Sequence, residues 1–147
     1  MILKEFLNQG RLVHHKTSSG EIANLLNLVE RDLKDAQIKG ISADRRFTIA
    51  YNAVLQLAML ILYCNGYKAK GIGHHFITLQ SIKEILGKKC HTLIDYFDSC
   101  RVKRNISDYD RAGEISESEA EELIEEAKKF KEAVIEWAKS NFPKLFD

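Results

Sequence analysis

An all-α, up-and-down bundle of four to five helices is the fold this sequence predicts. Three observations carry that reading. Proline occurs once, at Pro143, so nothing inside the chain interrupts helical hydrogen bonding. Apolar residues recur at spacings of three and four in successive segments, the period of a helix with one buried face. No segment alternates apolar and polar residues over the length of a strand. At 147 residues, one domain over 1–147 with a core of its own is expected.

The elements follow in order. Residues 1–17 are expected to form a mobile N-terminal segment, with a short helix open within Met1 to Leu12, where Leu3, Phe6 and Leu7 fall on one side. Ser18 followed by Glu21 has capping-box spacing. Ile22, Leu25, Leu26, Val29 and Leu33 then make one apolar face of a helix to about Ile38, which Gly40 ends. Ser42 is the next cap. The helix it opens runs to about Asn65 and is apolar around most of its circumference, from Phe47 through Ile61, so it is expected at the centre. Its longest apolar run, Ala53 to Cys64, is too short to span a bilayer.

Tyr67 to Gly73 reads as a loop. A helix over His74 to Leu86 should face inward through Phe76, Leu79, Ile82 and Ile85 or Leu86, and Gly87 closes it. Another runs from about Cys90 or Thr92 to Asn105, followed by a polar connection over Ile106 to Ile115. Ser116 with Glu119 repeats the capping-box pattern and opens the last helix, whose stripe is Leu123, Ala127, Phe130, Val134 and Trp137. Its early glutamates and later lysines complement the helix dipole.

Composition narrows the function classes. A net charge of +1 argues against binding nucleic acid by bulk positive charge, although Lys88, Lys89, His91, Arg101, Lys103 and Arg104 make one stretch locally basic. The three cysteines, Cys64, Cys90 and Cys100, cannot all pair within one chain. With no leader-like segment at Met1 to Leu7, a reducing cytoplasmic setting is the expectation.

The fourth predicted helix, counting from Ser18 on, holds the most informative feature. Leu93, Phe97 and Cys100 step inward, and the next step of four lands on Arg104. Arg101 and Asn105 adjoin it on the same surface. A guanidinium aimed at a core must find partners. Two readings stay open: a structural ion pair with Asp44, Asp108 or Asp110, or a cationic pocket for phosphate or RNA, to which arginine is suited. Asp44 and Arg45 either meet that region across the bundle or form a solvated cap. Tyr51 and Asn52 are candidates to supply hydrogen bonds to the cleft.

His74 and His75 open a helix after the glycine loop. Adjacent helical residues point about 100° apart, so a shared ion is not expected; they are a polar helix start, or one serves as an acid or base. His14 and His15 are assigned no role. Cys90, His91 and Cys100 lack zinc spacing, and Gly71-Ile72-Gly73 lacks the pattern of a nucleotide-binding loop. Neither a metal nor a cofactor is therefore expected.

The segments Ser42-Ala-Asp-Arg-Arg-Phe-Thr-Ile-Ala-Tyr-Asn-Ala, Asn65-Gly66-Tyr67 and Arg101-Val-Lys-Arg-Asn-Ile-Ser-Asp-Tyr-Asp resemble those of HEPN domains (higher eukaryotes and prokaryotes nucleotide-binding), across about Leu25 to Phe142. The resemblance implies a helical bundle that forms homodimers, and a place in toxin–antitoxin or other defence systems. It also implies a metal-independent RNase motif: Arg, a polar residue, then His five to seven positions after the Arg. Arg104 and Asn105 match its first half. Tyr109 stands at the shortest His spacing, followed by Asp110 and Arg111. A phenol with pKa near 10 is a poor substitute for imidazole at neutral pH, which leaves activity open. The expectations are a nucleotide- or RNA-binding protein with an RNase-like site, or a non-catalytic dimeric module that docks a partner such as a nucleotidyltransferase.

Overall fold

The computed structural model describes residues 2–109 and 114–147, with the backbone alone for 106–109. Its order is α1 (Ile2–Asn8), β1 (Leu12–His14), α2 (Ser19–Ala36), α3 (Ala43–Cys64), β2 (Tyr67–Ala69), α4 (His74–Leu86), a 3-10 turn (Lys88–Cys90), α5 (His91–Tyr109), α6 (Glu117–Asn141) and a second 3-10 turn (Pro143–Phe146). The fold is an all-α bundle, as the periodicity requires. α5 reaches four residues beyond the expected end at Asn105.

The starts of α2, α3 and α6 are set by serines. Ser18 accepts from the Glu21 N–H, Ser42 from Arg45 and Ser116 from Glu119, each satisfying an amide that the helix leaves unpaired. Only at Ser116 does the glutamate reciprocate and complete a capping box. Glu21 instead turns its carboxylate to His15 and Thr17.

α3 is the central helix. It packs against α2, α4, α5 and α6, and Tyr51, Val54, Leu57, Ala58, Leu60 and Ile61 along it are completely buried. By length and composition it would suit a membrane, yet most of it is buried against the surrounding helices. Phe97 and Phe130 meet above it with ring centroids 5.0 Å apart. Trp137, expected in the core, is half-buried on the rim of a groove between α4, α5 and α6. Among the described residues Arg46 is the one buried cation: its Nε donates to the Ala36 carbonyl at 2.7 Å, and its guanidinium pairs with Glu117 at 3.0 Å and with Glu121. It thereby ties the end of α2 and the start of α3 to the start of α6.

The N-terminal segment corrects the expectation of a mobile arm, and Tyr67 to Gly73 that of a plain loop. β1 and β2 pair antiparallel, Leu12 opposite Ala69 and His14 opposite Tyr67. α1 rests on α4, where the Leu3 amide donates to Glu84 at 3.0 Å. Phe6 and Leu12 are buried. Three-residue strands are too short to show alternation, and the partner lies more than fifty residues away in the chain, so only the fold reveals the pairing. Gly66 and Gly73, at φ 87° and 77°, make the turns into β2 and into α4 that a side chain would strain.

Candidate functional site

Three helices converge on one polar cluster. Tyr51 comes from the middle of α3, His74 and His75 from the first turn of α4, and Arg101 and Arg104 from α5. Each is placed by ordinary helical geometry. Tyr51 lies between Ala50 and Val54 on the buried face of α3. Arg104 continues the stripe of Phe97 and Cys100, both buried, past the point where the core ends.

The Arg104 guanidinium carbon sits 5.4 Å from the centroid of the Tyr51 ring, and that of Arg101 the same distance from Phe76. Both are cation–π contacts, which offset part of the cost of taking a guanidinium out of water. Arg101 also donates from Nε to Asp98 at 2.8 Å. The Tyr51 hydroxyl lies 3.5 Å from His75 Nδ1, with the two rings 6.0 Å apart. His74 meets His75 edge-on at 4.4 Å, and its own Nδ1 lies 3.3 Å from the Gly71 carbonyl.

The electrostatics follow from this packing. Burial, then His74, Arg104 and Arg101, pull the His75 pKa down to about 4, so the ring is neutral at neutral pH. Burial pushes the Tyr51 hydroxyl well above its usual range, and the two arginines only partly oppose that. The cluster thus holds two guanidiniums, a neutral imidazole and a neutral phenol. It can receive an anion on the arginines, and an anion there would in turn favour a protonated His75.

Several of the residues expected at a site are elsewhere. Asp44 is seven residues before Tyr51 on α3, about 10 Å along the helix, and its Oδ1 accepts from the Ile115 amide at 3.4 Å. Arg45 is exposed beside it. Asn105 is exposed and Asn52 half-buried, and neither is among the contacts that build the cluster. The side chain of Tyr109 lies outside the described residues, as do those of Asp108 and Asp110. Asp98 and Phe76 were missed: Asp98 stands three before Arg101, a spacing that signals a helical ion pair, whereas the role of Phe76 depends on how α4 meets α5. Among the described residues, no group of three His, Cys, Asp or Glu side chains is placed to hold a metal.

Comparison with family models, with curated proteins and with solved structures finds no match to this chain.

Proposed function

We propose that the cluster of Arg101, Arg104, His75 and Tyr51 binds the phosphate of a ribonucleotide chain and cleaves RNA by internal transesterification. The observation that carries this reading is His75: a neutral imidazole next to two guanidiniums, in a site where the motif position on α5 holds Tyr109 in place of a histidine. In this reading Arg104 holds the scissile phosphate and stabilises the charge that develops on it. His75, with Nδ1 turned to the Tyr51 hydroxyl, takes the proton of the 2′-hydroxyl through Nε2. The 2′-oxygen forms a bond to phosphorus, the bond to the 5′-oxygen breaks, and the proton passes from His75 to the leaving 5′-oxygen. The products are a 2′,3′-cyclic phosphate and a 5′-hydroxyl. The resemblance to HEPN domains at Arg104-Asn105 supports the same class of chemistry, with the imidazole supplied from α4 rather than from five residues along α5.

The test is cleavage of a single-stranded oligoribonucleotide, with end analysis, by wild type, Arg104→Ala and His75→Ala. Loss of about a hundredfold or more is expected for each, with cyclic phosphate ends in the wild-type digest. Equal cleavage by wild type and Arg104→Ala would remove the arginine from the mechanism. The second reading, a dimeric module that docks a partner protein, is favoured by one feature: Arg101 is already paired with Asp98. If Arg104→Ala lowers the melting temperature and wild type neither binds nor cleaves RNA, the cluster is structural.

A further inference from the structure

Next to the cluster, the short β-ribbon carries two cations that face each other. One step past the Leu12–Ala69 pair, the Lys70 amide donates to the Arg11 carbonyl at 3.0 Å, so Arg11 and Lys70 stand opposite one another across the two chains. Like charges in that position repel, and a ribbon ordinarily avoids them or adds a carboxylate. Among the described residues neither is in an ion pair; the Arg11 guanidinium lies over the Phe6 ring at 5.6 Å. One of its nitrogens comes within 3.9 Å of the place where a β-carbon on Gly73 would be. Gly73 directly precedes His74, whose exposed ring touches His75. Contacts therefore run from Arg104 over Tyr51 and His75 to His74, and Arg11 lies beside the residue that precedes His74.

On the reading of the cluster as an RNA site, we infer that Arg11 and Lys70 form a second phosphate subsite, and that the substrate is a single strand with at least two consecutive phosphates. Arg104 and Arg101 take the scissile phosphate, and the ribbon takes a neighbouring one. A mononucleotide or a dinucleoside monophosphate fills only the first position. The repulsion between Arg11 and Lys70 is relieved when a phosphate lies between them. The docked N-terminal arm gains a role from this: by pairing with β2 it sets Arg11 beside the loop that leads into α4.

The experiment compares wild type, Arg11→Gln/Lys70→Gln and the single exposed-site variant Lys70→Glu. Two probes are used: an eight-nucleotide RNA, with binding followed by fluorescence anisotropy across a salt series, and the dinucleoside monophosphate UpA, with cleavage followed directly. For the double variant, the slope of log affinity against log salt for the octamer is expected to fall by about 1.4, near 0.7 for each cation removed from a single-strand site. Cleavage of UpA stays within about twofold of wild type. Lys70→Glu, which leaves Arg11 and its contact with Phe6 in place, weakens octamer binding and spares UpA. An unchanged salt slope, or an equal loss on octamer and UpA, overturns the subsite while Arg104 and His75 remain in place as the cleavage site. If wild type handles neither probe, the subsite and the RNA reading fall together.

Discussion

Replacing His75 by glutamine should flatten the acid limb of the protein's stability curve. An unfolded histidine titrates near 6.5, and in the fold His75 titrates at about 4. Between those values the unfolded chain holds a proton that the folded chain does not. Stability is therefore unaffected by this group above pH 6.5, falls as the pH drops through that window, and levels off below about 4. The gap corresponds to roughly 3 kcal/mol if it is transmitted in full. His75 is only half-buried, and water screens its neighbours, so about 1–2 kcal/mol is the expected share. Urea unfolding at pH steps from 7 to 4 reads it as an extra midpoint loss in wild type on the order of 0.5–1 M, absent in His75→Gln. Carboxylates such as Glu21 titrate in both proteins and cancel in the comparison. Saturating inorganic phosphate should shrink the difference, because an anion on Arg104 and Arg101 favours the imidazolium. Parallel stability curves for the two proteins, or a His75 ring that titrates near 6.5 by NMR, would refute the placement of a neutral imidazole among the guanidiniums.

Two further substitutions test the frame around the site. Arg46→Ala leaves the Ala36 carbonyl without its donor and opens a gap where α2, α3 and α6 meet, while Glu117 and Glu121 return to solvent with little penalty; a loss of about 2–4 kcal/mol is expected, read as a fall in Tm of roughly 5–12 °C for a chain of this size, and a loss under about 1 kcal/mol would show that the clamp is not needed. Tyr51→Phe keeps the aromatic face under Arg104 and removes only the hydroxyl next to His75, so it should cost less than about 1.5 kcal/mol in stability but lower cleavage; Tyr51→Ala, which empties a completely buried position, should cost about 3–5 kcal/mol, and similar stability losses for the two would mean that the ring contact carries little.

The helices were legible because each is long enough to display its period. Ser18, Ser42 and Ser116 marked three starts within a residue, since a cap is a local device that depends only on the next few residues. Arg104 was also legible, because stepping from Leu93 through Phe97 and Cys100 requires no knowledge of any other helix. What the sequence hid was everything made by helices meeting. His75 stood in the candidate set as part of a polar helix start or as one of two possible acids or bases, with nothing to choose it over His74; its closeness to Tyr51 and Arg104 arises from the way α4 crosses α3 and α5. Asp44 and Arg45 looked equally suited to the cluster, but they lie two turns away from Tyr51 along α3. The pairing of β1 with β2 was hidden for the same reason, in a segment of only three residues.

The two readings first left open for Arg104, an internal contact and an anion pocket, need not exclude each other. The Tyr51 ring beside Arg104 is neutral, because burial holds its hydroxyl protonated, so this contact leaves the guanidinium's charge in place. At Arg101 the Asp98 carboxylate offsets part of the charge. Arg101 thus rests on the Phe76 face and on an acid at once. On the RNA reading, a phosphate arriving at Arg101 competes with that acid. Asp98→Asn, which removes the competing charge and keeps the side chain's shape, should accordingly tighten RNA binding when measured at the same salt concentration as wild type, and an unchanged affinity would mean that Arg101 does not meet the phosphate.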